Sequence, residues 1–426
     1  MSIDHRRIGQ ELGLFALDEQ LGAGLPMWLP RGAAIRRELE SFVLELERRA
    51  GYQHVYTPPL AKRALYEQSG HWDHFRDDMF PPMRAGRAAD EGANAESESE
   101  SESDSESLVL RPMNCPHHMR VFAQGERSYR ELPLRIAELG AMFRDERSGV
   151  ISGLSRVRYM TLNDGHVFCR EDQVAAEVAA IISLIQYAYE LLGVEPHRWR
   201  LSMRGDGGKY VANDAMWARS EDILRGALDE AGIAFEEGAG EAAFYGPKID
   251  VQVIDAAGRE ETLSTVQVDF HLPDRFGLGY VGEDGGNHRV IVVHRSLVST
   301  MERMVAYLLE RYEGALPCWL SPVQVVVLPV TDAPAVRAAA DRVLGACLAS
   351  DLRAEMRDAR DTLGARIRRS AAEKVPYVAV VGEREAVDGS VSVRERDSQP
   401  DRRTDERLPA LAFVARVHDA VRSRRR

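Results

Sequence analysis

FYGPKIDVQVID (residues 244–255), TVQVDFHL (265–272) and HRVIVVHR (288–295) are the stretches on which the fold turns. Each reads as a strand-like run. Turn-rich segments separate them, with no helical pattern between. Successive strands joined in this way predict an antiparallel sheet.

Working outward, a long apolar helix is predicted over Asp172–Leu192, stopped by Gly193, and a closing helix over Leu297–Tyr312. Towards the N-terminus, LVLRPMNCP (108–116) and HVYTPPL (54–60) read as strands, the second ended by Pro58 and Pro59. A helix over Ala33–Ala50 places Ile35, Leu39, Phe42, Val43 and Leu46 on one face, with Gly51 at its stop. Residues 84–107 alternate Ser with Glu and cannot bury enough apolar surface to offset ordering entropy, so a disordered acidic insertion is expected there. EGALPCWLSP (313–322) reads as a linker. Beyond it VQVVVLPV, a helix near Val336–Ala349, YVAVV, SVSVR and a last helix alternate as in a separate α/β domain. The expectation is an α+β domain on an antiparallel sheet over 1–318 and an α/β domain over 319–426.

Length and composition set bounds. A chain of 426 residues, 44% hydrophobic, can bury two or three cores. No uninterrupted apolar run reaches the roughly 20 residues that span a bilayer. MSIDHRRIGQE lacks the apolar core of a signal peptide, so the expectation is a cytoplasmic protein with no membrane partner. Cys115, Cys169, Cys318 and Cys347 show no paired spacing, which argues against a disulfide framework. The net charge of −12 is uneven: eight acidic residues and no basic ones lie between Asp90 and Glu106. From Ser321 onward there are 20 Arg and Lys against 16 Asp and Glu. A local basic surface, and with it a nucleic-acid partner, is compatible with that balance.

Cys115, His166 and His294 all read as lying in strand or strand-end contexts. A Cys-His-His set is a legitimate zinc site with an open fourth position, although 12 His and 4 Cys make such a triplet easy to find and buried core residues explain it equally. Arg144, where a strand runs into a loop, and Arg303, on a helix, offer planar forks suited to a triphosphate. Surface ion pairs would explain them as well.

Longer strings decide between these readings. LPRGAAIRRELESFV, SGHWDHFRDDMF, RPMNCPHH, ELPLRIAELG, FRDERSG, GLSRVR, AFYGPKID, TVQVDF, YVGEDG, VHRSLVSTMER and WLSPVQVVVLPV occur in order. Together they resemble the threonyl-tRNA synthetases, class II enzymes, over nearly the whole chain. The resemblance implies a catalytic domain followed by an anticodon-binding domain. Helix 33–50 with the strand to Pro58 would be motif 1, the homodimer-forming element. In motif 2, Arg144 would contact the α-phosphate and Glu146 the adenine amino group. In motif 3, Arg303 would face adenine and the γ-phosphate.

Cys115, His166 and His294 match the family's zinc ligands, one ion per chain, which hold the amino and hydroxyl groups of threonine. A site built around a polar contact rejects valine, which lacks it. Asp164 matches the carboxylate that takes the threonine hydroxyl. Met113, Tyr245 and Gln267 match other pocket positions. The resemblance implies activation of L-threonine with ATP and Mg2+, then transfer to tRNA(Thr). Glu385 and Arg394 would read anticodon bases.

The chain departs from the family at several points. Met160 stands for an aromatic, Leu162 for a glutamine, His117 for a glycine, Ser299 for the motif 3 glycine, and Ala242 for the central residue of GEGAF. Two alternatives therefore stay open: activation of another β-hydroxy amino acid for biosynthesis, or a non-catalytic tRNA-binding regulator. The resemblance begins at residue 4, which implies a short form without amino-terminal editing domains. Such a form would make some Ser-tRNA, because one missing methyl is worth only about 1–3 kcal/mol, and would leave it uncorrected.

Overall fold

The computed structural model describes residues 4–83, 107–207, 210–397 and 406–424. The acidic insertion expected at 84–107 falls outside them except for Ser107. The chain divides into two compact units. One comprises Leu17–Pro26 and Glu40–Ala306; the other comprises the remaining N-terminal residues to Leu39 and everything from Tyr307.

The first unit is built on an eight-stranded sheet. Its order is Gln53–His54, Leu134–Phe143, Tyr159–Cys169, Ile291–Ser296, Glu260–Asp269, Lys248–Ile254, Arg198–Met203, Phe235–Ala239. Pairing is antiparallel throughout its six central strands and parallel at the two outermost pairs. This is the antiparallel-sheet α+β architecture expected from the strand patterning.

One face is apolar. Val167, Val293, Val266, Val268, Ile249, Val251 and Leu201 are all buried. The helix Val174–Leu192 packs against the strands Glu260–Asp269 and Ile291–Ser296. It buries Val178, Ile181, Ile182 and Ile185, and the Tyr189 hydroxyl meets Ser264 Oγ at 2.6 Å. Arg135, on the edge of this face, forks onto Glu177 of the helix at 2.7 and 2.6 Å. With the turn before it, this helix is long and apolar enough to cross a membrane by length and composition. Its buried stripe is occupied by the sheet.

In the second unit a five-stranded sheet has the order Ala354–Met356, Val325–Pro329, Tyr377–Val381, Ser390–Glu395, Glu406–Pro409. Val325–Pro329 runs parallel to both neighbours; the last two strands are antiparallel. Helices Pro334–Ala349 and Ala410–Arg422 bury Val336, Val343, Phe413 and Val417 in its core. This is the expected α/β arrangement.

Several expected strands are shorter, for reasons visible locally. HVYTPPL adds only His54 to the sheet. Thr57 gives its N–H and hydroxyl to Glu138 instead of a ladder, and Pro58 and Pro59 have no N–H to give. LVLRPMNCP is strand only at Leu108–Leu110, and Cys115 opens the helix Cys115–Phe122, with Pro116 in the first turn where a missing N–H costs nothing. The first strand of the opening triplet starts at Lys248, leaving Tyr245 in the turn before it. The closing helix starts at Met301, after Ser299 in left-handed backbone at φ +63°.

Candidate active site and metal centre

Strand register assembles the site. Ile136, Glu138, Gly140 and Met142 stand opposite His166, Asp164, Leu162 and Met160. His166 is opposite His294, His294 opposite Gln267, and Gln267 opposite Lys248. Directly paired residues share a face and successive residues alternate. Asp164, His166, His294 and Gln267 therefore rise from the face opposite the long helix. The helix Cys115–Phe122 approaches that face closely: a Cβ on Gly140 would lie 2.3 Å from Asn114 Nδ2, the residue just before Cys115. Cys115 thus reaches the site from a helix, correcting the strand context read from sequence.

The ligand atoms of Cys115, His166 and His294 all lie within 4.8 Å of one another, and all three residues are buried. His294 Nε2 is 2.8 Å from Asp269 Oδ2. His166 Nδ1 is 2.7 Å from His118 Nδ1, while its Nε2 is buried with no hydrogen-bond partner. Burial, then the charges of His294 and His118, push the His166 pKa well down, favouring the neutral ring a metal requires. Burial and the Asp164 and Asp269 carboxylates push the Cys115 thiol up. A cation among these groups would reverse that balance, since a coordinating thiol is deprotonated. One thiolate and two imidazoles with an orphaned ring nitrogen fit zinc, and three protein ligands leave a position for substrate.

Polar side chains flank the cluster on one side. Tyr245 lies over His294 with ring centroids 5.1 Å apart, and its hydroxyl donates to Gln267 Oε1 at 2.5 Å. Asp164 is buried, and no described residue donates a hydrogen bond to its carboxylate. Burial raises its pKa against the charges of His118, His294 and Arg295. On the other side Met142, Val157 and Met160 form an apolar cluster with Met113 and Leu162.

A second constellation is cationic. Burial, then the adjacent Arg303 charge, lowers the Arg144 pKa; Glu146, Asp78 and Arg156 are its other charged neighbours. Arg303 donates to the carbonyls of Ser155 and Thr262 at 3.1 and 3.3 Å. Burial lowers its pKa too, with Arg156 adding to the effect and Glu261 and Glu146 opposing it. Glu146 accepts from Arg156 Nε at 2.9 Å. Three guanidiniums gather around this carboxylate, with Asp78 and Glu261 beside two of them, and such forks suit a polyanion.

Register and these contacts bring the residues expected in the catalytic domain into two neighbouring groups. Glu385 and Arg394 belong to the other unit. Glu385 lies in the helix Glu383–Asp388, between two strands. It accepts from the Gly382 N–H at 2.9 Å and the Ser392 hydroxyl at 3.0 Å, two positions along the strand from Arg394. His118, Glu138, Asp269 and Arg156 were not singled out from sequence. The paired histidines after Cys115 and the aspartate of TVQVDF were the available signals. Nothing local distinguished Arg156.

The family of the tRNA synthetase class II core domain (G, H, P, S and T) matches residues 98–312, half of the chain, and that of the anticodon binding domain matches 324–418. The crystallised RNA binding domain of threonyl-tRNA synthetase from Cryptosporidium parvum Iowa II is 32% identical, with a TM-score of 0.87 over 98% of each chain. The chain belongs to the threonyl-tRNA synthetase family. A second family structure, putative ThrRS-1 of Aeropyrum pernix, is 26% identical with a TM-score of 0.80, covering 99% of this chain and 96% of that one. Among curated family members, the threonine–tRNA ligase of Halalkalibacterium halodurans is 51% identical over 400 residues, 93% of this chain. Threonine–tRNA ligase 1 of Bacillus subtilis is 51% identical over 399. The chain spans 59% of the length of each.

Proposed function

We propose that the chain is a threonine–tRNA ligase: it activates L-threonine with ATP to threonyl-adenylate and passes the threonyl group to tRNA(Thr). The observation that carries this reading is the convergence of Cys115, His166, His294 and an unpartnered Asp164 on one sheet face. A valine-binding pocket would have no use for that carboxylate.

Zinc on Cys115, His166 and His294 would supply a Lewis acid that fixes the amino and hydroxyl groups of the amino acid. The chain's own residues do the rest. Asp164 accepts the substrate hydroxyl, and Tyr245, Gln267 and Met113 close the pocket. Arg144 and Arg303, with Mg2+ on the nucleotide, hold the triphosphate so that a carboxylate oxygen attacks the α-phosphorus and pyrophosphate leaves. Glu146, freed from Arg156, accepts from the adenine amino group. Positioning and charge stabilisation are the main contributions such a step needs. In this reading residues 1–318 are catalytic and 319–426 bind the anticodon through Glu385 and Arg394. Two chains pair through the helix Pro30–Arg49, and the enzyme works in the cytoplasm.

Leu162 favours one competing reading. It stands two residues from Asp164 on the same face, where the family carries a glutamine, so another β-hydroxy amino acid is a reasonable substrate. Amino-acid-dependent ATP–pyrophosphate exchange across a panel, with zinc content measured alongside, separates the readings. Exchange with threonine well above serine, one zinc per chain, and loss of both in Cys115→Ala are expected. Exchange with a different amino acid alone would replace the substrate, and silence across the panel would overturn the ligase reading.

A further inference from the structure

Both candidate histidine ligands have two ring nitrogens, and a metal can use only one that carries no proton. What selects that nitrogen is the group bonded to the other. For His294 the selector is direct. Asp269 Oδ2 sits 2.8 Å from Nε2, and its Oδ1 is tied by the N–H groups of His271 and Leu272 at 2.8 and 2.9 Å. A carboxylate so anchored can only accept, so Nε2 of His294 carries the proton and Nδ1 is bare.

For His166 the neighbour is another imidazole, which could donate or accept. The ambiguity is resolved one residue further out. His118, fully buried, has its Nε2 3.2 Å from Glu138 Oε2. Glu138 is held on its other sides by the Arg111 guanidinium at 3.0 Å and by the Thr57 N–H and hydroxyl at 3.1 and 2.8 Å. Surrounded by donors, Glu138 accepts from His118. With its Nε2 turned to Glu138, the Nδ1 of His118 is the acceptor position facing His166, as it must be if the buried, unpartnered Nε2 of His166 is the nitrogen that meets a metal. His166 must donate from Nδ1 across the 2.7 Å contact, leaving its Nε2 bare. That nitrogen is the one the structure leaves buried and unpartnered. The opposite proton order would place a hydrogen on Nε2 of His166 and remove a ligand.

We infer that His118, oriented by Glu138, is the positioning residue that fixes the tautomer of His166, so that a metal is taken through Nε2 of His166 and Nδ1 of His294. The inference rests on the zinc reading of the Cys115 cluster. It also assigns the helix Cys115–Phe122 two tasks one turn apart: Cys115 supplies a ligand, and His118 prepares another.

The test is zinc affinity of the full chain by chelator competition, for wild type, His118→Leu and His118→Gln. Imidazole 15N spectra of the zinc-loaded wild type are recorded in parallel. Leu removes the acceptor, and binding should weaken about 10- to 100-fold. Gln keeps a carbonyl oxygen in reach of His166 Nδ1 and should recover most of that loss. The spectra should show His166 bound through Nε2 and His294 through Nδ1. Circular dichroism of the metal-free proteins identifies any variant that fails to fold, in which case the wild-type spectra alone decide. Unchanged affinity in a folded His118→Leu chain, or a spectrum with His166 bound through Nδ1, overturns the inference while leaving the zinc site standing. A folded wild type that binds no zinc would instead defeat the site itself.

Discussion

Ser299 occupies left-handed backbone at φ +63° and is buried beneath the start of the helix Met301–Arg311, where its carbonyl accepts the Asn163 N–H at 3.1 Å. A side chain in that region is strained, and glycine is the residue that adopts it freely. Ser299→Gly should therefore stabilise the chain by about 1 kcal/mol, after the greater freedom glycine gives the unfolded state is subtracted. Equilibrium urea unfolding reads this directly; an unchanged or lowered midpoint would mean the Ser299 conformation carries no strain. The same residue shows where sequence reasoning was sufficient. The departure from glycine was visible in VHRSLVSTMER, but the positive φ that gives it meaning was not. Cys115, His166 and His294 were legible as residue types, whereas the proton order proposed for them depends on His118, Glu138 and Asp269, brought together from distant segments.

At the scale of elements, the approach of a short helix to a flat polar sheet determines whether the site exists. Gly140 has no side chain, and Asn114 fills the space a Cβ would take at 2.3 Å. Gly140→Ala should push back the start of the helix Cys115–Phe122 and weaken metal binding by at least tenfold. Its effect on the opposite, apolar face of the sheet should be small. Zinc titration and thermal unfolding measured together check this, and a variant that loses stability while keeping full zinc affinity would contradict it. Element boundaries followed the sequence wherever burial pattern and local chemistry agreed, as in the helix Val174–Leu192 and the strand Tyr377–Val381. They departed where a proline or a side-chain bond displaced the ladder, as at Thr57 and Cys115. Those departures cluster at the site, because residues turned to ligands or to buried carboxylates are unavailable for regular pairing.

For the whole molecule, Glu138 ties the segments of Thr57, Arg111 and His118 to the central sheet, and its loss should be felt in global stability. Burial opposes its charge, but bonds from His118 and Thr57 and the Arg111 charge hold its pKa down, from 4.5 to about 2. A depressed carboxylate stabilises the fold above its unfolded pKa and loses that contribution as pH falls through the folded one. The contribution is on the order of 3 kcal/mol, present at pH 7 and lost between about pH 4.5 and 2. Wild type should exceed Glu138→Gln in unfolding free energy by a margin that narrows through this window. A margin that persists undiminished at pH 2.5 would show that packing rather than charge is the source.

The helix Cys115–Phe122 is eight residues long, too short to persist alone in water. It nevertheless carries a thiol and the partner of an imidazole whose counterparts sit on strands far along the chain. A chain whose sheet has formed but whose helix has not seated offers a metal only histidines, and weakly. If zinc occupies the proposed site, bound zinc per chain is a census of correctly assembled molecules, and a preparation with sub-stoichiometric metal is a mixture of two populations rather than one of uniformly weakened binding.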